Sequence, residues 1–146
     1  MMPSLVHATC IALGEQGVLF LGPSGAGKSD LALRLIDGGA RLVSDDQTAL
    51  AAENGRLVAQ PPPALAGLIE ARGIGILQLP HKPSVALALA VELMPDKQID
   101  RYPERLTWDF LGISLPLARL DPFAASAEAK LRLAVRVATG DIMTVR

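Results

Sequence analysis

Cysteine occurs once in 146 residues, at Cys10, which excludes an internal disulfide and a thiolate metal cluster and fits a reducing compartment. Charge of one sign is not in surplus either. The net charge of −1 gives no general pull toward nucleic acid or an anionic bilayer, so neither is expected as a partner. No stretch reaches the roughly 18 apolar residues of a spanning helix, and residues 1–20 lack a basic start followed by a long apolar run. The expectation is a soluble cytoplasmic protein. Aromatic residues make up only 3% of a chain that is 50% hydrophobic, so the core is to be built from Leu, Val, Ile and Ala. Internal repeats and low-complexity tails are lacking too. The length fits one domain that buries about two-thirds of its unfolded surface.

What is present is one stretch that states a chemistry. Gly22-Pro23-Ser24-Gly25-Ala26-Gly27-Lys28-Ser29 satisfies G-x-x-x-x-G-K-[ST] at every fixed position. Glycines there let successive N–H groups turn inward as a nest for the oxygens of a di- or triphosphate. Lys28 is expected to reach the terminal phosphates and Ser29 to put its hydroxyl on magnesium. Residues 17–21 read as a buried strand entering the loop, and residues 29–36 as an amphipathic helix leaving it.

The rest of the chain reads as many short strands against two helices. Residues 5–13 are β-compatible, with His7 in that strand, and residues 14–17 are a turn. Glycines at 38 and 39 stop the first helix, and a short strand over residues 41–44 delivers Asp45-Asp46 to its C-terminal end, where ligands sit in open α/β sheets. Residues 47–52 and 56–59 form a hairpin through Asn54-Gly55. Residues 61–63 are all proline and break regular structure. Extended segments follow at 68–72 and 74–77, and residues 85–93 read as a central strand. Residues 95–108 read as a charged surface loop or short edge element. Residues 113–120 contain Pro116 and read as an edge strand at best. A last helix starts after Ser126 and stops at Gly140. The fold class expected is mixed-sheet α/β rather than doubly wound.

A phosphate loop alone implies a nucleotide; transfer also needs a metal-holding carboxylate and a proton acceptor. Asp45 and Asp46 can supply both. Neighbours on a regular strand face opposite ways, so both serve the phosphates only if the chain bends there. Glu70 and Arg72, two apart and flanked by glycines, share one face of a strand. Glu70 can complete a magnesium site, and Arg72 can stabilise a transferring phosphoryl group. A surface Glu–Arg pair beside a bulge is the plainer alternative. On local grounds His7 reads as a hydrogen-bonded core histidine, while Arg101 and Arg105 read as solvated charges.

Taken together, His7, residues 22–30, Arg41-Leu42-Val43-Ser44-Asp45-Asp46 and Leu68-Ile69-Glu70-Ala71-Arg72-Gly73-Ile74-Gly75-Ile76 resemble the C-terminal catalytic domain of bacterial HPr kinase/phosphorylase, in the family's order and at similar spacing. The resemblance implies ATP on residues 22–29 with Lys28 at its phosphates, magnesium on Ser29 and Glu70 with Asp45 beside them, and Asp46 as acceptor of the target serine's proton. It makes His7 an active-site residue, Arg72 part of a catalytic strand and Arg105 the later active-site arginine. It implies a P-loop fold similar to phosphoenolpyruvate carboxykinase, a serine of the phosphocarrier HPr of the phosphotransferase system as substrate, and assembly into homo-oligomers, commonly hexamers.

Two departures stand beside this. The chain is expected to be a single catalytic domain over residues 1–146, without the family's separate N-terminal domain. Where a proline-glycine-arginine-asparagine turn tied to phosphorolysis is expected, it has Pro116-Leu117-Ala118-Arg119-Leu120-Asp121-Pro122. A small-molecule P-loop kinase and a non-catalytic nucleotide-sensing module are the competing functional readings.

Overall fold

A computed structural model describes residues 3–145. Its centre is the longest strand, Val85–Leu93, ninth of the eleven that are numbered here in chain order: β1 (Ser4–Val6), β2 (Thr9–Leu13), β3 (Gln16–Leu21), β4 (Arg41–Ser44), β5 (Thr48–Glu53), β6 (Arg56–Gln60), β7 (Leu68–Ala71), β8 (Gly75–Gln78), β9 (Val85–Leu93), β10 (Leu106–Phe110) and β11 (Ile113–Leu120). The helices are α1 (Lys28–Asp37) and α2 (Ala127–Ala138).

Nine strands form one mixed sheet in the order β1-β5-β6-β9-β3-β2-β4, with β11 also on β9 and β10 beyond it. One edge of β9 takes β3 in parallel; the other is shared, β6 pairing with Val85 and Ala86 and β11 with residues 90–93. β11 is therefore an interior strand, not an edge. Pro116 is tolerated because pairing with β9 begins only at Leu117, so its missing N–H interrupts no bond on that side. The charged stretch 95–108 likewise ends in a strand, β10, which pairs with β11.

β1 and β2 are not one strand. β1 opens the sheet order and β2 stands next to its last strand, β4, yet β1 and β2 are joined by His7 and Ala8 alone, and β4 and β5 by three residues. Two residues cannot cross several strands spaced about 4.8 Å apart. The sheet therefore curls until its two ends meet at these links, where the Thr48 hydroxyl donates to the Ala8 carbonyl at 2.9 Å.

The curl makes two cores. Inside it lie Cys10, Leu19, Val43, Leu50, Leu57, Val85, Leu87 and Leu115. Outside, Ile11, Val18, Phe20, Leu89, Val91 and Leu120 meet Leu31 and Leu35 of α1 and Leu131 and Val135 of α2. Each such leucine contributes about 1.5–3 kcal/mol by leaving water. β9 serves both cores because its register against β3 shifts between Leu87 and Leu89: the extra residue, Ala88, turns the strand over, so Leu87 faces inward and Leu89 outward. Gly17 makes this crossing close, since a Cβ there would lie 2.7 Å from Val85 Cγ1 and 2.8 Å from the Ala86 carbonyl.

β7 and β8 form a separate hairpin. β7 ends at Ala71, so Arg72 stands in the turn rather than on the strand with Glu70. The α/β mixed sheet with flanking helices is otherwise the one the sequence predicts. Among the described residues no helix is long and apolar enough to cross a membrane.

Candidate active site

Topology brings the chemistry to one end of the sheet. β3 and β4 are both antiparallel to β2, so the ends of β3 and β4 and the start of β2 lie together. Leu21 leads into the phosphate loop, Ser44 into Asp45-Asp46, and His7 and Thr9 sit at the entry to β2.

The loop takes backbone conformations that favour glycine at Gly22 (φ 152°), Gly25 (φ 82°) and Gly27 (φ 99°). The Ala26 N–H bonds the Pro23 carbonyl at 3.1 Å, and Leu31 N–H closes the first helical bond to Gly27 at 3.0 Å. α1 thus begins at Lys28 and presents its N-terminus to the nest. Lys28 is buried. Its Nζ donates to the Gly22 carbonyl at 2.5 Å and the Pro23 carbonyl at 3.0 Å. Burial pushes its ammonium below the usual lysine value, and the carboxylates of Asp46 and then Asp45 oppose that shift.

Both aspartates face the loop because the chain bends between them. Asp46 has φ 67°, a conformation that costs most residues energy but that aspartate tolerates better than most. The bend is tied at both ends: Gln47 N–H bonds the Asp45 carbonyl at 2.7 Å, and the Ser44 hydroxyl donates to the Gln47 carbonyl. Asp45 Oδ1 accepts from the Ser29 hydroxyl at 2.6 Å and from the Thr9 hydroxyl at 3.1 Å. Asp46 Oδ1 lies 2.8 Å from His7 Nε2, in a half-exposed pair. His7 is therefore no core histidine; it stands in the link that closes the curl.

Thr9 was invisible to sequence reasoning. It is fully buried, and besides serving Asp45 its oxygen accepts the Asp46 N–H at 3.2 Å. One hydroxyl thus holds both aspartates. A threonine in a strand is the default residue there, so no local signal marks it.

These groups open on a cavity of about 490 Å³ that Ser24, Lys28, Ser29, Asp46, Glu70 and Arg72 line. The hairpin supplies Glu70 and Arg72 as its far wall. Arg105 does not join them: it precedes β10, two strands beyond β9, at the same end of the sheet but outside the cavity. Among the described residues no three His, Cys, Asp or Glu side chains form a ready-made metal centre. The donors present, the Ser29 hydroxyl with carboxylates at 45, 46 and 70, are hard oxygens. That set suits magnesium, which keeps water and phosphate oxygens as its remaining ligands.

The model of the HPr serine kinase C-terminal domain matches residues 2–121. The chain belongs to that family. Among HPr kinase/phosphorylases, the Geobacillus thermodenitrificans protein is 37% identical over 124 residues, which cover 76% of this chain and 40% of that protein. The Caldicellulosiruptor bescii protein is 37% identical over 123 residues, covering 75% and 39%. The chain thus spans about 40% of the length of these curated relatives. The solved Hpr(Ser) kinase/phosphatase from Coxiella burnetii is 28% identical and superposes with a TM-score of 0.83 over 94% of this chain and 97% of that one. The HPr kinase family match takes in every candidate site residue from His7 to Arg105 and ends at Asp121.

Proposed function

We propose that this chain transfers the γ-phosphoryl group of ATP to a serine hydroxyl of an HPr-like phosphocarrier of the phosphotransferase system, with magnesium as cofactor. One observation carries the reading: adjacent aspartates point to different tasks at one phosphate loop, Asp46 toward the half-exposed imidazole of His7 and Asp45 onto the Ser29 hydroxyl.

The nucleotide's phosphates take the N–H groups of residues 25–29 and draw Lys28 from the loop carbonyls onto themselves. Asp46 accepts the serine proton as the serine oxygen attacks the γ-phosphorus. The bond from that phosphorus to the β–γ bridging oxygen breaks, and ADP leaves. His7 donates a hydrogen bond to Asp46 and keeps the carboxylate aimed at the incoming hydroxyl. Arg72, across the cavity, stabilises charge on the phosphoryl oxygens in flight. Ser29, Asp45 and Glu70 would hold magnesium, which when bound neutralises charge on the phosphates. The relatives' names pair kinase with phosphorylase, which favours a reverse reaction: an oxygen of inorganic phosphate attacks the phosphoserine phosphorus, the bond from that phosphorus to the serine oxygen breaks, Asp46 returns the proton to that oxygen, and pyrophosphate leaves. We also propose that the protein is cytoplasmic and assembles as a homo-oligomer, a hexamer on family resemblance.

The deciding experiment is incubation with radiolabelled ATP, magnesium and candidate phosphocarriers, with metabolites in parallel, and mass spectrometry of any labelled product. Label on a carrier serine is the expected result. Label on a metabolite alone would overturn the protein-kinase reading.

A further inference from the structure

Phe123 lies in the link between β11 and α2 and is 70% exposed, against the strong tendency of aromatic rings to be covered. Its position is nevertheless fixed. Asp121 Oδ1 accepts the Phe123 N–H at 2.9 Å and Asp121 Oδ2 the Asp96 N–H at 3.1 Å; these bonds hold the Asp121 carboxyl below its usual range. The Pro122 carbonyl accepts from Arg34 of α1. The ring edge rests on the phosphate loop itself: a Cβ added at Gly27 would lie 3.0 Å from Phe123 Cζ and 2.9 Å from Pro122 Cγ.

Phe123 and Gly25 are shared between two cavities. One is the polar cavity of Lys28 and Asp46. The other, about 480 Å³, has apolar walls from Pro23, Leu93, Met94 and Pro95, with Gln98 and Asp121 as polar groups. Its size falls within the roughly 300–1,000 Å³ of small-molecule sites, and its make-up, apolar walls with a few polar groups, is theirs. A nucleotide has the same division: a charged phosphate chain, a ribose, and a flat base with hydrogen-bonding edges.

We infer that the apolar cavity receives the nucleobase of the donor nucleotide, stacked on Phe123, while the phosphates lie across residues 25–29. This rests on the nucleotide reading above. Phe123 and Gly25, at the boundary of both cavities, set the point where base and phosphates part, and Gln98 and Asp121 offer an amide and a carboxylate to the edge of the base. Gly27 keeps the loop low enough for the ring to reach over it.

Calorimetric titration of the full chain with ATP and with inorganic tripolyphosphate separates base from phosphate. Phe123→Ala is expected to weaken ATP about tenfold, the loss of one base–aromatic stack, and to leave tripolyphosphate unchanged; Phe123→Trp is expected to keep ATP within about twofold. Equal losses for both ligands, or an ATP affinity that Phe123→Ala does not move, would overturn the stack. Failure of the unaltered protein to bind either ligand is a separate result, which overturns the nucleotide reading and the stack with it.

Discussion

The two walls of the polar cavity are built differently. On the loop side, Lys28, Ser29, Asp45 and Asp46 are each tied by at least one hydrogen bond, and Thr9 behind them is fully buried. On the hairpin side, Glu70 and Arg72 stand exposed at the end of a two-stranded ribbon whose outer residues, Ile74 and Ile76, face solvent. A group that must hold a small, invariant ligand gains from being fixed before the ligand arrives. A wall that must receive another macromolecule has to stay open. On the proposed function the fixed loop side serves the donor, while the open hairpin brings Glu70 to the donor's magnesium and Arg72 to the phosphoryl group on its way to the acceptor.

Substitutions can break or sharpen that contrast. The largest effect is expected from Asp46→Ala, a loss of phosphoryl transfer on the order of 10³-fold, as for a general base, with ATP affinity kept; steady-state kinetics beside calorimetry would show it, and an unchanged rate would remove Asp46 as base. Arg72→Ala should lower kcat by roughly 10²-fold through lost charge stabilisation, again without weakening ATP. If it weakens ATP instead, Arg72 belongs to the donor side and the contrast fails. Thr9→Val tests the rigidity of the loop side: an orphaned Asp46 N–H and a lost donor to Asp45 should cost about 2 kcal/mol, a fall of roughly 4–8 °C in Tm by calorimetry.

The smallest effect concerns the backing of that wall. Cys10 is fully buried beside Thr9, and burial pushes its thiol well above the ordinary value of 9.0. The folded state thus keeps a proton that the unfolded chain releases, so stability is intact below pH 9.0 and declines above it. Against a Cys10→Ala control, denaturant melts should show an added loss of about 1.4 kcal/mol per pH unit there. Native protein should also resist iodoacetamide at pH 8 until denaturant is added.

The phosphate loop, α1 and the central strand β9 were legible because their signals are local: glycines where φ is positive, apolar spacing along a helix, an unbroken apolar run. The curl was not. Residues 5–13 read as one apolar, β-compatible run, and only pairing with partners some forty residues away shows that His7 and Ala8 turn a corner. Pro116 argued for an edge, but it stands one residue ahead of the pairing that would have excluded it. The Asp45-Asp46 bend could be posed as a condition, and Asp46 with φ 67° meets it. Arg72 was expected on a strand and stands in a turn, since Gly73 (φ 90°) reverses the chain between Ala71 and its partner Gly75. Thr9 gave no signal because its role depends on what lies behind it in space.

The closure of the sheet at residues 7–8 and 45–47 has a bearing on the order in which the molecule becomes competent. The imidazole–carboxylate pair forms from the same two links that join the ends of the curl, and such distant pairings are slow steps in folding because loop entropy is lost before contacts reward it. The phosphate loop and its helix are contiguous in sequence and can assemble early. On the proposed function, a refolding chain should therefore regain its grip on polyphosphate before it regains transfer.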